Sequence, residues 1–166
     1  MLSKKAQLFG QIFIYIIAIV LFSLILIYGY SAIRELKEKS EKITYIKFKT
    51  ELKSVVRSIS PDYGTLKRKI FFIGGDYKEV CFVQTYNKDK DYIVISNTIK
   101  NPIINDSFRS NVTENVFLIS GDGVIVDSFY VGPIDVTGHY LCARARNGKI
   151  KVQFEGMGDH ATISTY

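Results

Sequence analysis

IFIYIIAIVLFSLILIYGY, residues Ile12 to Tyr30, decides how this chain meets its solvent. Only Ala18, Ser23 and Gly29 interrupt its bulky apolar run, and no charged residue occurs anywhere from Ala6 to Ile33. At about 1.5 Å per residue, a helix of this length covers roughly 28 Å, the hydrocarbon thickness of a bilayer. The stretch therefore predicts a helix that spans a membrane or fills an equally apolar filament core. The bland reading, a core helix of a soluble domain, needs a shell of packing partners that the strand-like remainder does not offer.

The full chain has 166 residues, room for such an anchor and one domain of ordinary size. Its net charge of +6 is uneven: residues 1–78 carry 14 Lys or Arg against 6 Asp or Glu, and residues 79–166 carry 8 against 10. The basic excess therefore belongs to the helix and the first strand, where anionic headgroups would attract it. No Arg-rich recognition helix or stacking motif accompanies the charge, so no nucleic-acid partner is expected.

The apolar run passes directly into a helical pattern. Ile33, Leu36, Ile43, Phe48, Leu52, Val55, Val56 and Ile59 recur at helical spacing and predict one apolar stripe, ending at Pro61. Glu35 with Lys39 and Glu38 with Lys42 stand four apart as supporting pairs. One helix of roughly 80 Å follows, its second half laying the stripe on whatever comes next; a break near Gly29 is the alternative, since glycine costs about 1 kcal/mol in a helix interior.

From Leu66 onward, short runs of Val, Ile, Phe and Tyr alternate with Gly, Asn and Asp, the signature of antiparallel strands. Strands are expected at 66–73, 77–86, 91–96, 114–120, 123–131, 138–146, 149–155 and 161–165, with a long loop from Asn97 to Arg109. Gly74-Gly75, Gly121-Asp122-Gly123 and Asn147-Gly148 read as tight turns. The expected class is α+β: a long N-terminal helix (a transmembrane or filament-core half plus an amphipathic half), then a small antiparallel sheet or sandwich. The boundaries are 1–6 for a basic stub, 7–60 for the helix and 61–166 for the β-rich domain.

Cys81 and Cys142 both fall inside expected strands. They read either as a bridge or as two buried thiols, and the oxidising space outside a cell favours the bridge. Asn105-Asp106-Ser107 and Asn111-Val112-Thr113 fit the N-glycosylation pattern and point the same way. The positive-residue count about the span would argue for the opposite orientation, but long domains are exported largely regardless of it. No catalytic motif is present, and no cofactor is implied. His139, His160 and the two cysteines offer no close ligand pair, so no metal is expected; His160, after Gly156-Met157-Gly158-Asp159, reads as a solvated imidazole in a turn.

Ser3-Lys4-Lys5-Ala6-Gln7, followed by the apolar segment Leu8 to Tyr30 and its amphipathic continuation, resembles the start of archaeal type IV pilin-like proteins. The resemblance implies a prepilin-type signal cut between Ala6 and Gln7. It also implies a mature helix that assembles through Gln7, Gln11, Ile12, Ile16, Ile19, Leu24 and Ile27, with the β domain facing outside. The implied partners are copies of the chain or other pilin-like subunits, membrane lipid before assembly, and the peptidase and assembly machinery. That family commonly has a glutamate at the fifth mature position, where this chain has Gln11, and a small residue at the third, where it has Phe9. Gln11 can hydrogen-bond to a neighbour's amine but supplies no charge. The expected function is a structural subunit of an extracellular filament, not an enzyme; the alternative is a non-polymerising, single-pass, membrane-anchored binding module at the cell surface.

Overall fold

The computed structural model describes residues 4–74 and 77–166, with side chains from Phe13 onward. Its class is α+β, one long helix followed by two four-stranded sheets and two short helices. Helix α1 (Lys4–Ile59) is unbroken at Gly29. The chain divides into two compact units, Met1–Lys42 and Ile43–Tyr166.

In the first unit the side chains from Phe13 to Tyr28 are all exposed or half exposed. The charged turns beyond them are held by exposed pairs one helical turn apart: Arg34 with Glu38 at 3.4 Å, Lys37 with Glu41 at 3.6 Å, and Lys39 with Glu35 at 2.6 Å. Glu38 thus reaches back to Arg34 instead of forward to Lys42. Such pairs contribute about 0.3–0.5 kcal/mol each. Ile33 and Leu36 are exposed, so the buried stripe does not begin where the spacing placed it.

In the second unit the stripe is real: Phe48, Leu52, Val55, Val56 and Ile59 are buried, while Ile43 at the start of the unit is exposed. The strands are β1 (Leu66–Phe72), β2 (Tyr77–Val83), β3 (Val116–Ser120), β4 (Ile125–Phe129), β5 (Ile134–Val136), β6 (Tyr140–Arg144), β7 (Lys149–Gly156) and β8 (Ala161–Ser164). One sheet has the order β1-β7-β8-β5, antiparallel except for the parallel pair β5 and β8; the other has the order β4-β3-β2-β6 and is antiparallel throughout. The helical stripe and one face of each sheet share a core, in which Phe48, Phe71 and Phe154 meet edge to face at 5.7 and 5.9 Å.

Two expectations fail here. The strand at 91–96 is helix α2 (Lys88–Thr98), and the loop from Asn97 to Arg109 contains helix α3 (Pro102–Arg109). Ile95 of α2 and Ile99 just past its end, like Ile104 and Phe108 of α3, are buried and stand four apart, a helical spacing. Together they cover the second face of the β4-β3-β2-β6 sheet, meeting Cys81, Val83, Phe117 and Ile119 in a separate cluster. That sheet is buried on both faces, which is why Val116-Phe117-Leu118-Ile119 is apolar without alternation. Strand β5 is an addition, too short at three residues to register as a run.

The Asn147-Gly148 turn has positive φ at both residues (52° and 69°), as a two-residue hairpin requires. Gly123 and Gly74 also have positive φ (85° and 92°), whereas Gly75 lies outside the described residues.

Candidate functional site

Helix α1 is long and apolar enough to cross a membrane by length and composition. On it, Ile16, Ile19, Leu24 and Ile27 are exposed. The side chains of Ala6, Gln7, Gln11 and Ile12 lie outside the described residues, as does the start of the 1–6 stub.

Cys81 and Cys142 are brought together, with Sγ atoms 2.05 Å apart, and the alternative of two separate thiols is set aside. They stand opposite each other in the β2–β6 ladder. The flanking bonds, Ala145 N–H to the Lys78 carbonyl at 2.7 Å and Gln84 N–H to the His139 carbonyl at 3.0 Å, fix this as a position where the strands exchange no main-chain hydrogen bond. The Tyr140 hydroxyl lies 2.9 Å from Cys142 Sγ, and burial pushes its pKa up, with the Glu79 charge adding to it. Glu79 and the two sulfurs lie close enough to suggest metal ligands, but the sulfurs are committed to each other.

The two sequon asparagines differ. Asn105 sits within α3, its amide donating to the Ser96 carbonyl at 3.0 Å and its oxygen accepting from the Ser96 hydroxyl at 2.9 Å. Asn111 is exposed beyond the helix, with φ at 59°, and its oxygen accepts from Lys88 at 3.0 Å. Burial holds the Lys88 ammonium below its usual pKa.

His160 corrects an expectation. It is only 7% exposed, stacked on Tyr86 with ring centroids 3.5 Å apart, and its Nδ1 lies 2.5 Å from the Asp159 carboxylate. Tyr86 donates to the same carboxylate at 2.9 Å. His139 has φ at 67°, and its Nδ1 is 2.7 Å from the Gln84 side-chain oxygen. Tyr45 donates to Asp127, and burial, then that bond and charge, raises its pKa far above the ordinary phenol value.

Sequence reasoning missed the surroundings of β6. A cleft of about 490 Å³ is lined by Ile70, Arg144, Arg146, Lys149, Lys151 and Tyr166, and a second of about 750 Å³ by Glu79, Lys100, Asn101, Pro102, Tyr140 and Arg144. The signal available was Arg144-Ala145-Arg146 and Lys149-Ile150-Lys151 on either side of a hairpin turn, which places cations in register on neighbouring strands. No protein-family model, curated protein or solved structure matches this chain.

Proposed function

We propose that this chain is a pilin-like structural subunit of an extracellular type IV-type filament, assembled through its N-terminal hydrophobic helix. The observation that supports it most is the run of exposed apolar side chains from Phe13 to Tyr28 on an unbroken helix. Burying a large aliphatic side chain is worth about 1.5–3 kcal/mol, so this surface has a strong drive into lipid before assembly and against neighbouring helices after it. The bridged cysteines fit a domain that works in an oxidising space. The basic stub before Gln7 supplies the signal for a prepilin-type peptidase.

One observation favours a second reading. Gln11 stands where a charged residue would neutralise a neighbour's terminal amine, and a helix without that charge can serve as a tether alone. In that reading the chain is a single-pass anchored binding module at the cell surface.

N-terminal sequencing and electron microscopy of protein from the native host separate the two. A mature chain starting at Gln7, found within filaments, is expected for the subunit. An uncut Met1-Leu2-Ser3 start, or a chain found only in membranes and never in filaments, rejects it.

A further inference from the structure

Strand β6 is an edge of its sheet, and its outward main chain is unclaimed. The ladder alternation that turns Leu141 and Ala143 toward β2 turns the N–H and C=O groups of Tyr140, Cys142 and Arg144 away from it. Among the described residues, no main-chain hydrogen bond takes those groups up. The two clefts described above lie on either side of this edge and share Cys142 and Arg144.

An added strand would point its side chains alternately to the two faces of the sheet, and so alternately toward the two clefts. Arg146, Lys149 and Lys151 line one cleft and Lys100 the other, with Arg144 common to both. Among the described residues, the one acidic side chain that lines either cleft, Glu79, is already held by Arg144 at 3.1 Å.

We propose that β6 accepts an extended acidic segment of a partner protein as an additional strand. Its main chain bonds to Tyr140, Cys142 and Arg144, and its carboxylates meet Arg146, Lys149 and Lys151 on one side and Lys100 on the other. The same cations disfavour a second copy of this chain, since pairing β6 with β6 would bring like charges together. The site holds whether α1 assembles into a filament or only tethers the domain.

The test titrates the full-length protein, in detergent micelles, with a dye-labelled synthetic peptide of about six residues, the usual strand length, carrying glutamates at both odd and even positions so that carboxylates face both clefts. Binding is expected and should weaken as salt rises. Methylating the peptide's backbone nitrogens at every second residue should weaken binding at least about tenfold in one of the two registers and leave the other unaffected. The double variant Arg146→Glu with Lys151→Glu should lose binding while its thermal unfolding matches that of the parent. If both methylated peptides bind like the unmethylated one, or a sulfated polysaccharide competes fully and backbone methylation has no effect, the clefts read charge alone and the strand-acceptor proposal is overturned. Self-association through β6 that the acidic peptide cannot displace, seen by sedimentation, overturns it as well.

Discussion

Cys81 and Cys142 face each other directly across β2 and β6, with Cα atoms 4.0 Å apart and a separation of 61 positions along the chain. The bridge fastens an edge strand to its neighbour in the sheet. Closing a loop of this length removes unfolded-state entropy worth about 4 kcal/mol in the chain-entropy account. Replacing both cysteines by serine, or adding reductant, is expected to lower stability by about that amount, read as a shift in denaturant midpoint. Alkylation should add mass only after reduction.

Asn115 is fully buried and satisfies three groups from other segments. Its amide donates to the Gly132 carbonyl at 2.7 Å and to the Thr85 hydroxyl at 3.0 Å, and its oxygen accepts from Val131 N–H at 3.1 Å. Asn115→Ala strips partners from buried polar groups, each costing about 1–3 kcal/mol. We expect a total loss of about 2–4 kcal/mol, with Asn115→Asp no better because it cannot donate to the carbonyl. Calorimetry of the two variants checks this.

Gly156 admits no side chain. A Cβ there would stand 2.1 Å from the Ile59 carbonyl oxygen and 2.2 Å from that of Asp62. The atoms it would strike are backbone, in a turn closed by Asp62 N–H to the Ile59 carbonyl at 3.0 Å and anchored on β7 by Gly64 N–H to the Gly156 carbonyl at 2.8 Å. Gly156→Ala should therefore destabilise by about 3 kcal/mol or more, whereas Gly158→Ala, with open space around it, should cost much less despite its positive φ. Comparing the two melting temperatures is the measurement.

Asp159 gives the domain an acid-sensitive contact. Its carboxyl pKa lies below the usual range, first because of the bond from His160 and then because of the bond from Tyr86. A depressed carboxylate stabilises the fold above its ordinary pKa, and the contribution fades as pH falls through the lower folded value. The melting-temperature gap between the parent and Asp159→Asn should be constant near neutral pH and close on acidification below about pH 4. A gap that stays constant down to about pH 2 would contradict this reading.

The sequence carried the large features because each rested on a long, redundant pattern. The apolar run, the buried stripe from Phe48 to Ile59 and the Asn147-Gly148 hairpin are such cases. Tyr92-Ile93-Val94-Ile95 misled because β-branched residues favour strands, yet Ile93 is 73% exposed and tertiary burial of Ile95 and Ile99 decided the matter. Helix α3 was readable: Asn101 caps it, accepting from Ile103 N–H at 3.0 Å, and Pro102 begins it. His160 was not, because the ring that covers it, Tyr86, is far away in sequence and only the fold brings the two together. The free edge of β6 is likewise a fact of strand order, which no local pattern encodes.

The order β1-β7-β8-β5 also sets a schedule for biosynthesis. Strand β1 finds its neighbour in β7 and β5 finds its in β8, so two strands made early wait, unpaired, for residues 149–164. During that interval the apolar stripe from Phe48 to Ile59 has only part of its cover. A nascent chain of this protein therefore exposes part of its apolar core until its final strands emerge. Truncations before Ala161 should yield degraded protein, not a smaller folded domain.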